Sequence, residues 1–107
     1  MLLFLLILSI LNFSFSSVLI PTKGTYEVLS SSHDDTCPQY IEPQLINGEL
    51  IALKVVYVGA CYYIGPYTYN CDENRCGNES IFFEFKSSSE YYWENKDWDI
   101  WGYFKLK

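Results

Sequence analysis

The chain has 107 residues, of which 50% are hydrophobic and 19% aromatic, and its formal net charge at pH 7 is −6. Nucleic acids and anionic membranes attract basic proteins, so this acidic balance, with Arg75 as the only arginine, argues against both as partners. The length fits one small domain.

The first element in the chain is an apolar N-terminal segment. Residues 2–11 are apolar except for Ser9, which matches the hydrophobic region of a signal peptide and is shorter than the about 20 residues that span a bilayer. Ser14 and Ser16 supply the small residues of a cleavage site. We therefore expect residues 1–16 to be a signal peptide, and residues 17–107 to form one domain that is secreted through the endoplasmic reticulum without a membrane span. A signal anchor or a buried helix is the alternative.

The rest of the chain is predicted to be all-β. Short runs of β-branched and aromatic residues alternate with turn residues, and no stretch combines an amphipathic helical period with a cap. Seven or eight short strands in a chain of this size predict a β-sandwich or a small barrel. The expected strands are residues 25–29, 40–46, 50–58, 62–64, 67–71, 81–86, 91–94 and 98–105.

Two chain reversals are visible between these strands. Asn47-Gly48 supplies the two positive-φ residues of a type I′ turn and predicts a hairpin. A second reversal is expected at Pro66. Cys61 and Cys71 are equally distant from it, so they are expected to face one another across an antiparallel pair.

The four cysteines all follow the expected cleavage point. An even number in a short secreted chain predicts two disulfides, with three possible connectivities. These cysteines are Cys37, Cys61, Cys71 and Cys76.

No residue pattern in the chain predicts a catalytic, metal or cofactor site. His33 is the only histidine, so paired-histidine acid–base sites and histidine-rich zinc sites are excluded. We expect His33 and the aspartates that follow it to form a solvated loop, with a fragment of a metal site as the alternative. We expect the acidic turn near Cys76 to be solvated, with a calcium site as the alternative. The residues of this turn are Asp72, Glu73, Asn74, Asn78 and Glu79.

Three carboxylates near the C-terminal tyrosines suggest a hydrolase only weakly. A secreted hydrolase or small ribonuclease built on Glu84, Glu90 and Glu94 would need a second proton-transfer group or basic residues that bind phosphate, and Arg75 is the only arginine. We therefore expect a non-catalytic protein that needs no cofactor.

A glycosylation sequon occurs in a predicted loop. Asn78-Glu79-Ser80 has the acceptor pattern, and in a secreted chain we expect Asn78 to carry a glycan.

The C-terminal quarter is rich in aromatic residues. They either fill the core or form a protein-binding face, for which tyrosine and tryptophan are typical anchors. We expect the contact surface to include Tyr91, Tyr92, Trp93, Trp98 and Trp101.

Several motifs occur in the order and spacing of one known family. They are Asp-Asp-Thr-Cys-Pro at 34–38, Ile-Gly-Pro-Tyr-Thr-Tyr-Asn-Cys at 64–71, Ser-Ile-Phe-Phe-Glu at 80–84 and Glu-Tyr-Tyr-Trp-Glu-Asn-Lys-Asp at 90–97. The spacing from Cys37 to Cys61 also agrees. In these features the chain resembles the secreted immunoglobulin-like accessory protein, open reading frame eight, of SARS-related betacoronaviruses.

The resemblance implies a small immunoglobulin-like β-sandwich with two disulfides. It implies that Cys61 pairs with Cys71. Because two family cysteines are missing, Cys37 and Cys76 would then pair with each other. The cysteine of the family's covalent dimer has no counterpart here, so a homodimer would be non-covalent.

The resemblance also implies a function. Such a protein modulates host immune responses by binding host proteins of the immune system or the secretory pathway. The alternative is a small secreted ligand-binding β-barrel of lipocalin type, in which the aromatic residues line a cavity; Gly24-x-Tyr26 is similar to the opening motif of that fold.

Overall fold

The computed structural model describes residues 19–59 and 64–107. This part of the chain is all-β, which confirms the predicted fold class. The strands are β1 (Gly24–Ser31), β2 (Gln39–Ile46), β3 (Glu49–Tyr57), β4 (Tyr67–Asp72), β5 (Arg75–Gly77), β6 (Ile81–Ser87), β7 (Glu90–Asn95) and β8 (Ile100–Leu106).

The eight strands form one closed barrel. Each strand pairs antiparallel with its neighbour in the chain, and β8 pairs with β1 around Val28 and Phe104. We expected two packed sheets from the immunoglobulin-like resemblance. The difference arises because the β1–β8 pairing joins the first and last strands into the same sheet. The small barrel that we considered beside the sandwich is the architecture found.

The interior of the barrel is filled by large side chains. Eight strands enclose a space just wide enough for side chains. The Tyr91 ring stacks on Phe104 with a centroid distance of 5.2 Å and lies 4.8 Å from the ring of Tyr26. Trp93 and Phe83 extend this cluster and are also buried. Aromatic packing therefore joins the neighbouring strands β6, β7, β8 and β1 on the inside of the barrel.

Most predicted strands and turns are confirmed. Asn47 and Gly48 have φ values of 52° and 80° and connect β2 to β3 as a tight hairpin. The short strand β5 was not expected. β8 begins at Ile100, later than predicted, because residues 96–99 form a turn. Of the expected strand at 62–64, only Ile64 is described, and it lies outside the strands.

The disulfide pairing differs from our expectation. Cys71 bonds to Cys76, and their Cα atoms are 4.0 Å apart. The reason is the turn at Glu73 (φ 56°), which folds β5 back onto β4 and places the two cysteines directly opposite one another. The expected Cys61–Cys71 and Cys37–Cys76 pairs were therefore wrong.

Some expectations concern residues that the structure does not describe. Cys61 lies outside the described residues. Cys37 is described and is disulfide-bonded. The expected signal peptide, residues 1–16, also lies outside them. Among the described residues, no helix has the length and apolar character needed to cross a membrane.

Candidate binding surface

Four aromatic rings form a continuous row on the outer wall of the barrel. Going from β6 to β8, the ring centroids of Phe82 and Tyr92 are 6.0 Å apart and those of Tyr92 and Tyr103 are 5.0 Å apart. The Trp101 ring follows at 6.1 Å from Tyr103. We call these four residues the outer aromatic row.

The alternation of side chains along the strands produces this row. In β7, Tyr91 and Trp93 face the interior and are each 1% exposed, whereas Tyr92 between them faces outward. Tyr92 lies directly opposite Tyr103 on β8. Burial removes Tyr91 and Trp93 from the surface that we predicted for a partner, and leaves Tyr92 on it.

One end of the row is covered by cationic side chains. The Arg75 guanidinium lies 4.0 Å from the centroid of the Phe82 ring, and Lys96 Nζ lies 5.6 Å from it. A cation over an aromatic face is attracted by the ring's electrostatic field. Phe82 is consequently buried although it points outward.

The other end of the row is exposed. Trp101 is 40% exposed and Tyr103 43% exposed. The backbone of Trp101 is held in place, because Trp101 N donates to Ser32 Oγ at 3.0 Å and Ser32 N donates to Trp101 O at 2.9 Å. Leu29 is exposed beside Tyr103, at the β-bulge that β1 forms against β8. Large apolar side chains thus face solvent on a rigid backbone.

Carboxylates lie next to the rings. The Tyr92 hydroxyl donates to Glu94 Oε1 at 2.6 Å. Burial, followed by this hydrogen bond, raises the pKa of Tyr92, so the phenol stays neutral at physiological pH. Glu84 lies opposite Tyr92 on β6, and Glu90 lies on the same face of β7. The surface around the row therefore combines aromatic rings with carboxylates, and Arg75 and Lys105 lie opposite Glu84 and Glu90.

Trp98 lies apart from the row, in the turn between β7 and β8. Its backbone N donates to Asn95 Oδ1 at 3.2 Å, and its side chain is 53% exposed. The structure therefore places Trp98 at the end of the barrel instead of on its outer wall.

The residues considered for metal binding do not converge in the described part of the chain. His33 is exposed in the loop after β1, where its Nδ1 lies 2.9 Å from Ser32 Oγ. Across residues 19–59 and 64–107, no group of three or more His, Cys, Asp and Glu side chains is placed to hold a metal ion.

The sequon lies in an exposed loop between β5 and β6. Asn78 Oδ1 accepts hydrogen bonds from Ser80 N at 2.8 Å and from Ile81 N at 2.9 Å. The backbone of Gly77 lies so close to Ile81 that a Cβ at Gly77 would clash with Ile81 O. The loop therefore presents Asn78 in a fixed backbone conformation.

In comparisons with known proteins, no family model matches the chain, and no curated protein or solved structure matches it either.

Our sequence prediction missed part of the row. The contact surface that we expected does not include Phe82 or Tyr103, although each alternates with inward-facing residues. The period of two along β8, in which Trp101 and Tyr103 share one face and Gly102 and Phe104 share the other, is the signal that identifies Tyr103.

Proposed function

We propose that this chain is a secreted, non-catalytic binding protein that contacts a partner protein through the outer aromatic row. The observation that carries the proposal is the exposure of Trp101 and Tyr103 on the wall of a closed barrel, next to Leu29. Tyrosine and tryptophan on a rigid support are the residues that contribute most binding energy in protein interfaces.

The net charge of the chain, −6, favours a basic partner surface. Around the row itself the charges are of both signs: Glu84, Glu90 and Glu94 share the outer face with Arg75, Lys96 and Lys105. Charge complementarity accelerates association and suppresses binding to acidic partners. We therefore expect the partner to present lysine or arginine side chains around an apolar centre.

The motifs at 34–38, 64–71, 80–84 and 90–97 favour a host protein of the immune system or secretory pathway as that partner. The closed barrel and the Cys71–Cys76 bond depart from what the resemblance implies. Only those motifs therefore support an immunoglobulin-like relationship. The aromatic row supports partner binding without it.

Affinity capture with matched variants tests the proposal. Tagged wild-type protein, a row variant (Trp101→Thr with Tyr103→Thr) and a control variant (Leu45→Thr with Ile51→Thr) are secreted from mammalian cells. The two control residues lie on β2 and β3 and are 46% and 41% exposed, fractions close to those of Trp101 and Tyr103. Bound proteins are then quantified for each bait.

We expect a set of proteins that the wild-type bait and the control variant capture and the row variant does not. All three baits should be secreted in similar amounts, because the substituted side chains are partly exposed. Equal capture by the row variant and wild type would reject the outer aromatic row as the contact surface. Selective loss by the control variant would assign binding to β2 and β3 instead.

A further inference from the structure

A small cleft adjoins the exposed end of the outer aromatic row. It lies where β7 turns into β8 and has a volume of about 150 Å³. Pockets for small molecules begin at about 300 Å³, so this cleft has the size for part of one side chain of a partner. We call it the Trp101 cleft; it is lined by Glu94, Asn95, Lys96, Asp99, Ile100 and Trp101.

One wall of the Trp101 cleft is an exposed indole. Trp101 is 40% exposed, and its backbone N and O are both hydrogen-bonded to Ser32. Of the aromatic side chains, tryptophan attracts a cation to its ring face most strongly. An exposed indole on a fixed backbone therefore favours a cationic group in this cleft.

Glu94 is the carboxylate beside this indole, and its register partners carry no charge. They are Phe82 on β6 and Trp101 on β8. In contrast, Glu84 on the same outer face lies opposite Arg75. In the described part of the chain, Glu94 forms no salt bridge. Its negative charge is therefore available to a partner.

A second carboxylate lines the cleft from the turn before β8. Asp99 is exposed there, and among the described residues it forms no salt bridge either. Lys96 also lines the cleft, but its Nζ lies 5.6 Å from the centroid of the Phe82 ring, and Phe82 and Trp101 are on opposite sides of Glu94 in the sheet. One ammonium is thus set against two carboxylates, and a further cation complements the charge of the cleft.

We propose that the Trp101 cleft receives an arginine side chain of the partner protein. The guanidinium stacks on the indole of Trp101 and donates hydrogen bonds to the carboxylates of Glu94 and Asp99. Arginine fits better than lysine, because its planar guanidinium stacks on aromatic rings and donates to several acceptors at once. This inference rests on the proposed function, since it names a group that the partner brings to the outer aromatic row.

A small probe tests the cleft without the partner. N-acetylarginine amide is titrated into ¹⁵N-labelled wild-type protein, and N-acetylcitrulline amide, an uncharged analogue of the same shape, is the control. The indole N–H resonance of Trp101, identified by its loss in Trp101→Phe, should shift to saturation with the arginine probe and much less with the citrulline probe. Equal shifts with both probes, or no shift with the arginine probe, would overturn the proposal.

Matched charge variants locate the carboxylates. Glu94→Gln with Asp99→Asn should weaken binding of the arginine probe at least about threefold, because two charge-assisted hydrogen bonds lose their charge. Folding should persist, since glutamine keeps an acceptor for the Tyr92 hydroxyl and asparagine tolerates the φ of 54° at position 99.

The control for these variants is Glu49→Gln with Asp72→Asn. It changes the net charge equally on β3 and β4, away from the cleft, and should keep the wild-type affinity for the arginine probe. An equal loss of affinity in the two double variants, or no loss in the cleft variant, would also overturn the proposal.

Failure of this inference and failure of the proposed function give different results in affinity capture. We expect Trp101→Thr/Tyr103→Thr and Glu94→Gln/Asp99→Asn to lose the same proteins, and Glu49→Gln/Asp72→Asn to retain them. If the row variant loses these proteins while Glu94→Gln/Asp99→Asn captures them at wild-type levels, partner binding by the outer aromatic row stands and the arginine site is overturned.

Discussion

The hydroxyl of Tyr91 donates a 2.6 Å hydrogen bond to Oε1 of Gln39 in the buried interior of the barrel. Tyr91 lies on β7 and Gln39 on β2, which are 52 residues apart in sequence. The bond therefore joins two walls of the barrel that are not neighbours in the sheet. It satisfies the Tyr91 hydroxyl and the Gln39 carbonyl oxygen, both of which belong to buried side chains.

Removing this hydrogen bond should destabilise the fold. Tyr91→Phe keeps the ring packing and leaves Gln39 Oε1 without its donor, so the free energy of unfolding should fall by about 1–3 kcal/mol. Tyr103→Phe, on the outer wall, is the control and should change it by less than about 0.5 kcal/mol. Urea denaturation measures both. Equal effects would show that the buried bond contributes no more than an exposed hydroxyl.

Stability should decrease in strongly alkaline solution. Burial, aided by the nearby Tyr26 and Tyr57, raises the pKa of Tyr91 well above its usual value of 10.0. Above pH 10 the unfolded chain loses this phenol proton while the folded chain keeps it, so the free energy of unfolding falls as pH rises. Denaturation at a series of pH values should show the fall. Tyr91→Phe should show a smaller one, and an unchanged slope would contradict this assignment.

The disulfides can be mapped without reduction. Trypsin cuts after Arg75, and chymotrypsin cuts after the tyrosines between Cys61 and Cys71. Non-reduced digests should therefore contain a Cys71–Cys76 link, and the remaining bond should join Cys37 to Cys61. A fragment that links Cys61 to Cys71 would contradict the structure.

Replacing the Cys71–Cys76 bond should have a moderate effect. Its closed loop is short, with a sequence separation of 5. The chain-entropy model gives a loss of about 2 kcal/mol for the Cys71→Ala/Cys76→Ala variant, against about 3.5 kcal/mol for removing a Cys37–Cys61 bond. Urea denaturation of the two double variants tests this order.

Asn78 should carry a glycan when the chain is secreted from mammalian cells. The residue is exposed, and its hydrogen bonds use Oδ1. Treatment with an N-glycosidase should increase electrophoretic mobility, and Asn78→Gln should remove that response. Ser80→Thr keeps the sequon and is the matched control. Identical mobility of Asn78→Gln and wild type before treatment would contradict the prediction.

Local sequence signals predicted the strands well. Asn47-Gly48 identified a hairpin because its backbone conformation is set by those two residues alone. In contrast, β5 has only three residues, Arg75–Gly77, which is too few for an alternating pattern to be visible. Short strands of this kind are defined by their neighbours in the sheet.

The closure of the barrel and the cysteine pairing depend on contacts between distant residues. The pairing of Val28 with Phe104 joins strands at opposite ends of the described chain, and no local pattern specifies it. Cys71 had three possible partners among the cysteines, and the turn at Glu73 places Cys76 opposite it. The inward orientation of Tyr91 and Trp93 and the outward orientation of Tyr92 were predictable, because side chains alternate along a strand.

Partner binding by the outer aromatic row is our main proposal. Its most direct test is the dissociation constant of the captured partner for wild type, for Trp101→Thr/Tyr103→Thr and for Leu45→Thr/Ile51→Thr. The row variant should bind at least about tenfold more weakly than wild type, because central aromatic residues dominate interface energetics. The control variant should bind like wild type. Equal dissociation constants for the row variant and wild type would contradict the claim.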